Sequence, residues 1–182
     1  MEFIQTGFEG LIEIQPTVFR DNRGYFFESY KKTEFLKGGI DTEFVQSNQS
    51  SSEKGVVRGL HLQLPPYAQA KLVRVITGAV LDIVVDVRPS SKTFGQHYKC
   101  LLTEEKMNML YVPEGFAHGF TALKDSIFHY MVNNYYNKES ETGIIWNDPT
   151  LNIDWEEAQP LISEKDKSLP FFEDFKKINT FH

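Results

Sequence analysis

Apolar residues along this chain recur at the spacing of strands, in short runs broken by frequent turn signals, and long helical periodicity is almost absent. Leu11-Ile12-Glu13-Ile14, Val18-Phe19, Tyr25-Phe26-Phe27 and Glu43-Phe44-Val45-Gln46 read as strands, separated by the turn-forming Arg20-Asp21-Asn22-Arg23-Gly24 and Lys37-Gly38-Gly39. The alternation is clearest over residues 71–88. Leu72, Arg74 and Ile76 alternate with Lys71, Val73 and Val75, and after Thr77-Gly78 the residues Ile83, Val85 and Val87 alternate with Asp82, Val84, Asp86 and Arg88. This pattern predicts a hairpin at Thr77-Gly78. Helical signal is confined to residues 32–36 and 169–177, the latter following the helix-start pattern Ser163-Glu164-Lys165-Asp166. Many short strands rich in Phe, Val and Ile predict an all-β fold: a sandwich or jelly-roll β-barrel with a few short peripheral helices, whose alternate residues point inward and line a cavity.

Composition narrows the function. With 182 residues, 41% of them hydrophobic and 15 of them Phe, the chain suits one well-filled domain over residues 1–182. No repeat, linker or low-complexity segment divides it. Its single cysteine, Cys100, has no intrachain partner, and Met1-Glu2 leads directly into mixed apolar and polar residues, so the expected location is cytoplasmic. No apolar stretch approaches the ~20 residues of a membrane span. A net charge of −6 argues against nonspecific nucleic-acid binding, leaving small anions gripped by local cations as the anionic ligands to expect.

Two segments carry the chemistry: Gly55-Val56-Val57-Arg58-Gly59-Leu60-His61-Leu62-Gln63 and Pro113-Glu114-Gly115-Phe116-Ala117-His118-Gly119-Phe120. Together they resemble the paired motifs of the cupin barrel with half of the metal ligands missing. His61 and Gln63 lie two residues apart, so a strand presents both on one face. In metal-binding cupins that pair is usually two histidines, joined by a nearby glutamate and a histidine of the second motif. Here His61 and His118 fit, but Gln63 replaces an imidazole and residues 64–70 offer no carboxylate. Two imidazoles are a poor set for a divalent transition metal, so no metal is expected. Taken alone, His61 reads equally well as a packed barrel histidine.

A longer series of strings makes the resemblance specific. Phe19-Arg20-Asp21-Asn22-Arg23-Gly24-Tyr25-Phe26-Phe27-Glu28, Gln46-Ser47-Asn48-Gln49-Ser50, the first motif, Lys71-Leu72-Val73-Arg74-Val75, the second motif, Tyr135-Tyr136 and Gly143-Ile144-Ile145-Trp146-Asn147-Asp148-Pro149 strongly resemble the dTDP-4-dehydrorhamnose 3,5-epimerase family. The similarity runs over residues 7–166. It implies a homodimeric jelly-roll cupin without metal or cofactor. Such an enzyme inverts the two carbons flanking the ketone of a dTDP-linked 4-keto-6-deoxyhexose on the way to dTDP-L-rhamnose.

Removing a proton next to a ketone needs a positioned base and groups ready for the enolate oxygen. The resemblance makes His61 the base, Asp166 its carboxylate partner, Tyr130 the acid returning a proton from the opposite face, and Lys71 the cation facing the enolate oxygen. It assigns Arg23 and Arg58 to the diphosphate, Tyr136 to stacking on thymine, and Glu28, Gln46, Ser47, Asn48, His118, Glu141 and Lys165 to further substrate contacts. Plainer readings stand beside these. Asp166 suits a helix cap, Tyr130 a core aromatic, and Lys71, Arg23, Glu28, Glu141 and Lys165 exposed charge. Arg58 suits a strand-end ion pair, Gln46 and Asn48 turn or ladder bonds, and His118 an internal histidine. His129 adjoins Tyr130 but points to the other face of its strand. Lys92, His97 and Cys100 carry no functional signal, and Phe171, Phe172 and Phe175 form a cluster for packing against the barrel or a partner subunit.

Close relatives within this fold epimerise one centre or move the ketone. A non-catalytic sugar-nucleotide-binding cupin and a metal-dependent oxygenase are the readings from other classes.

Overall fold

The computed structural model of the chain describes residues 1–181. Thirteen strands account for nearly all regular structure: β1 (Glu2–Gln5), β2 (Ile12–Gln15), β3 (Phe19–Asp21), β4 (Gly24–Phe26), β5 (Gln46–Ser52), β6 (Val57–Gln63), β7 (Lys71–Thr77), β8 (Ala79–Asp86), β9 (His97–Thr103), β10 (Met109–Val112), β11 (Phe116–Ala122), β12 (Ser126–Val132) and β13 (Glu141–Gly143). Three short helices lie at the periphery: α1 (Lys32–Lys37), α2 (Glu164–Lys167) and α3 (Phe172–Ile178). One sheet runs β1-β2-β10-β7-β12-β5, the other β13-β6-β11-β8-β9, and β3-β4 forms a separate hairpin. Both sheets are antiparallel throughout, and they face each other as a jelly roll.

Strand alternation decides what fills the space between the sheets. Val73 and Val75 of β7, Val80 and Val84 of β8, Phe116 and Phe120 of β11 and Phe128 of β12 meet there in one core cluster. The opposite parity is also buried, because each outer face is covered. Leu72 and Met109 lie against Phe35 of α1, while Leu81, Ile83 and Val85 lie under Trp155, Phe172 and Phe175 of the C-terminal segment. This is why every residue of β8 is buried although its sequence alternates. The phenylalanine cluster thus packs on the barrel through Phe172 and Phe175, while Phe171 stays exposed.

Two expectations from the sequence need correction. Thr77-Gly78 is not a hairpin: β7 pairs with β10 and β12, and β8 with β9 and β11, so the chain crosses there from one sheet to the other. Gly78 makes this corner with φ +84°, and a Cβ on it would fall 2.2 Å from the Asp125 carbonyl oxygen. The strand expected at residues 43–46 instead begins at Gln46 and continues through the wholly polar Ser47 to Ser52.

The alternation is also broken within β6, and this break shapes the site. His118 pairs with His61 but Phe120 pairs with Arg58, so three steps along β6 match two along β11. The extra residue forms a β-bulge. At its centre Gly59 has φ +116°, and a Cβ there would lie 2.6 Å from Gly119 Cα. Glycine is required on both counts. The bulge lets Arg58 and His61, three residues apart, share the inner face.

The docking of α3 generates the first expected outcome. Phe175 is fully buried against the outer face of the second sheet. Phe175→Ala is expected to destabilise the fold by about 3 kcal/mol, read as a lowered urea midpoint with an unchanged slope.

Candidate active site

At one end of the sandwich the apolar filling gives way to polar side chains around a cavity of about 220 Å³. One wall is the second sheet, contributing Arg58, His61 and Gln63 from β6 and His118 from β11, with Glu141 from the edge strand β13. The facing wall is the first sheet, contributing Lys71 from β7, Tyr130 from β12 and Ser50 from β5.

His61 is bonded through Nε2 to Asp166 Oδ1 at 2.7 Å. The route by which Asp166 arrives is local. Residues around Leu161 run beside Gly55 to Val57, with Val57 N–H donating to Leu161 O and Leu161 N–H to Gly55 O. Ser163 then caps α2 by accepting from Asp166 N–H. The helix-start pattern is therefore real, but the cap is Ser163, while the Asp166 side chain turns inward to His61 and accepts Gly59 N–H at 3.1 Å. Burial works against the charge on Asp166, yet the His61 imidazole, the Gly59 N–H and the Ser163 hydroxyl hold its carboxyl below the ordinary range. An ionised carboxylate only accepts, so His61 Nε2 carries the proton and Nδ1 is left as the basic nitrogen.

A second imidazole–carboxylate pair lies deeper. His118 Nε2 donates to Asp82 Oδ2 at 2.9 Å, and both side chains are buried. Burial lowers the His118 pKa, with Asp82 opposing and the neighbouring Lys71 and His61 adding to the effect, so the ring is neutral at pH 7. Lys71 is not the solvated rim lysine of the plainer reading. It is 9% exposed, and burial pushes its pKa down to about 8 against the pull of Asp82 and Glu141. Tyr130 opens onto the cavity, and burial raises its phenol above the usual value, with Arg58 opposing and Glu141 adding. The phenol therefore stays protonated at neutral pH.

Arg58 has no carboxylate partner among the described residues. Its Nε donates to Ser52 Oγ at 3.0 Å and its Nη2 to Ser51 O at 2.9 Å, which fixes the guanidinium at the cavity edge. At the mouth, Tyr136 Oη donates to Glu141 Oε2 at 2.8 Å and Lys165 Nζ to Glu141 Oε1 at 2.6 Å. Against the effect of burial, Lys165 and Tyr136 hold Glu141 below the ordinary carboxylate range. Gln46 and Asn48 share the inner parity of β5 with Ser50 and bond each other at 2.8 Å.

Six residues that the resemblance assigned to substrate do not line this cavity in the single chain: Gln46, Asn48 and Lys165 stand beside it, and three lie farther off. Ser47 has the opposite parity on β5 and bonds His129 Nε2 at 2.8 Å on the outer face, where His129 was expected. Arg23 lies in the β3–β4 hairpin, bonded to Asp21 at 2.6 Å with its side chain 85% exposed. Glu28 follows that hairpin and pairs with Lys31. The sequence reading passed over Asp82, whose place on the inner parity of β8 beside Val80 and Val84 was visible in the alternation.

Gln63, standing where metal-binding cupins carry a second imidazole, turns its amide to backbone groups. Among the described residues no three His, Cys, Asp or Glu side chains converge as a metal site.

Residues 5–174 match the family described as dTDP-4-dehydrorhamnose 3,5-epimerase. The dTDP-4-dehydrorhamnose 3,5-epimerase of Shigella flexneri is 48% identical over 168 residues, covering 91% of this chain and 93% of the relative. The crystal structure of the enzyme of that name from Elizabethkingia anophelis NUHP1 superposes with a TM-score of 0.91 at 47% identity, covering 96% of this chain and 97% of the other. That of the dTDP-6-deoxy-D-glucose-3,5-epimerase from Legionella pneumophila Philadelphia 1, in complex with dTDP-4-keto-L-rhamnose, gives 0.90 at 40% identity, with 94% and 93% covered. Sharing with these relatives both its length and its jelly roll, the chain belongs to the dTDP-4-dehydrorhamnose 3,5-epimerase family.

Proposed function

We infer that the chain is an isomerase that inverts carbons 3 and 5 of dTDP-4-dehydro-6-deoxy-D-glucose, giving dTDP-4-dehydro-L-rhamnose for dTDP-L-rhamnose synthesis. One observation carries the chemical reading: His61 with its carboxylate stands on one sheet and Tyr130 on the sheet facing it. Inversion requires removal of a proton from one face of the sugar and delivery to the other, and two opposed walls meet that requirement.

His61 Nδ1 takes the proton from the carbon next to the ketone, and Asp166 stabilises the imidazolium that results. The electron pair moves onto the carbonyl oxygen, where the Lys71 ammonium meets the growing negative charge. His118, neutral and held by Asp82, lines the same end of the cavity. Tyr130 gives a proton to the opposite face of the carbanion carbon, and the ketone re-forms. Arg58 faces the diphosphate, a role that suits a guanidinium fixed in advance. Tyr136 stacks on the thymine, with Glu141, Lys165, Gln46 and Asn48 as further contacts.

The homodimer is part of this proposal. Phe19, Tyr25 and Phe26 are 61%, 56% and 65% exposed on the β3–β4 hairpin, an apolar face that a second copy would cover. A partner's hairpin would also bring Arg23 and Glu28 to a cavity they do not reach in their own protomer. Phe26→Asp is expected to shift sedimentation toward the monomer and to lower activity with it; an unaltered sedimentation coefficient would remove the hairpin from the interface. No described helix is long and apolar enough to cross a membrane, and we place the reaction in the cytoplasm.

Proton NMR of dTDP-4-keto-6-deoxy-D-glucose in deuterated water tests the reaction. Deuterium is expected at both carbons 3 and 5. In His61→Ala the rate is expected to fall by roughly 10²–10⁴-fold, and Tyr130→Phe is expected to exchange protons without accumulating inverted product. Deuterium at one carbon alone would mark a monoepimerase, and none would favour a binding protein.

The charge on Lys71 sets an alkaline limit. Its protonated form is the active one, so kcat/KM is expected to fall as pH rises through about 8. Lys71→Arg keeps its charge well above that pH and is expected to move the limb upward. An unmoved limb would assign the titration to another group.

A further inference from the structure

Gln63 lies two residues beyond His61 on the same strand, is 4% exposed, and reaches two loops with one amide. Its Nε2 donates to Tyr67 O at 2.6 Å and to Tyr135 O at 3.2 Å, and its Oε1 accepts Asn137 N–H at 2.6 Å. The first acceptor belongs to the loop between β6 and β7, the other two groups to the loop between β12 and β13. A second stitch joins the same loops, Gln69 Nε2 donating to Asn134 O at 2.6 Å.

Burial does little to hold the loop between β12 and β13: none of residues 133–140 is buried, and Tyr135 and Tyr136 are exposed, so hydrogen bonds to the first loop, itself anchored by buried Ala68 and Ala70, set where it stands. Both Gln63 and Tyr136 line the cavity, while Gln63 bonds none of His61, Lys71 and Tyr130. Two of its three bonds flank Tyr136 in sequence, at Tyr135 and Asn137.

We propose that Gln63 is a positioning residue for the nucleotide end of the substrate, acting through the loop that carries Tyr136 and not on the proton transfers. The inference rests on the reading of the substrate as a dTDP-linked sugar. A side chain at the position of a metal ligand in related barrels has in this chain become the anchor of a base-binding wall, on the strand that bears the catalytic base. Losing the amide leaves two loop carbonyls and one N–H without their partner, and the loop relaxes away from the cavity.

The test is titration calorimetry of the full chain with dTDP, alongside steady-state epimerisation. Gln63→Leu is expected to weaken dTDP binding about tenfold, close to 1.4 kcal/mol. KM should rise in step, while kcat at saturation stays within about threefold of wild type. Tyr136→Leu should weaken dTDP binding by itself, and the double variant should bind no more weakly than Tyr136→Leu alone, because the first effect operates through that ring. Gln63→Glu keeps the acceptor and the shape but loses both donors, and it is expected to behave like Gln63→Leu; it serves if the leucine variant does not fold. Unchanged dTDP affinity in the glutamate variant, additive losses in the double variant, or a fall in kcat at constant KM would each overturn the proposal. Wild-type protein without affinity for dTDP would overturn the substrate reading and this inference together, an outcome distinct from wild-type binding that Gln63 variants retain.

Discussion

Asp166 is a carboxylate almost excluded from water, and such a group persists only where donors and positive charge meet it. It is met by His61 Nε2–H and Gly59 N–H, on a helix whose first turn is capped by Ser163. These contacts bind three features into one. The bulge at Gly59 turns an N–H toward the carboxylate, the strand beyond it presents the imidazole, and the segment along residues 55–57 delivers α2 at the right height. The packing of Phe172 and Phe175 on the barrel follows, since the chain after α2 must leave across the outer face that those rings cover. Tautomer, bulge and C-terminal course are thus one solution to one desolvated charge.

The cavity extends the same physics. Its closed end is filled by valine and phenylalanine from both sheets, and its polar end holds Lys71, Asp82 and His118 with little access to water. Buried ionic groups are costly, and the structure would gain stability from an apolar replacement of the set. In the proposed reaction the set would supply a field already arranged for negative charge arising at one oxygen, with no solvent to reorganise as the enolate forms.

The alternation of residues 71–88 told which side chains share a face, and it placed Lys71 with Val73 and Val75 correctly. It was silent on which strand lies beside which, and Thr77-Gly78 was misread because a corner between sheets and a hairpin demand the same tight turn. β5 carried no strand signal, because its Ser, Asn and Gln residues serve a polar cavity wall on an edge rather than a core. Strict alternation puts Arg58 and His61, three residues apart, on opposite faces, and only the pairing with β11 exposes the extra residue. The Asp166 contact spans 105 residues, and a helix-start pattern says nothing about where its third side chain points. Family resemblance supplied what periodicity omitted there. For Arg23, Glu28 and Ser47 it named positions that stand away from the cavity in the single chain.

Every strand of both sheets precedes residue 144, whereas the carboxylate that bonds His61 comes later, on α2. A ribosome therefore releases the whole barrel, cavity included, before the imidazole acquires its partner. The nascent chain has a hollow between its two sheets some time before His61 has its carboxylate. Chains that stop just after β13 would lack both that carboxylate and the cover of Trp155, Phe172 and Phe175 on the second sheet, so the residues beyond the last strand complete the polar cavity and the outer packing together.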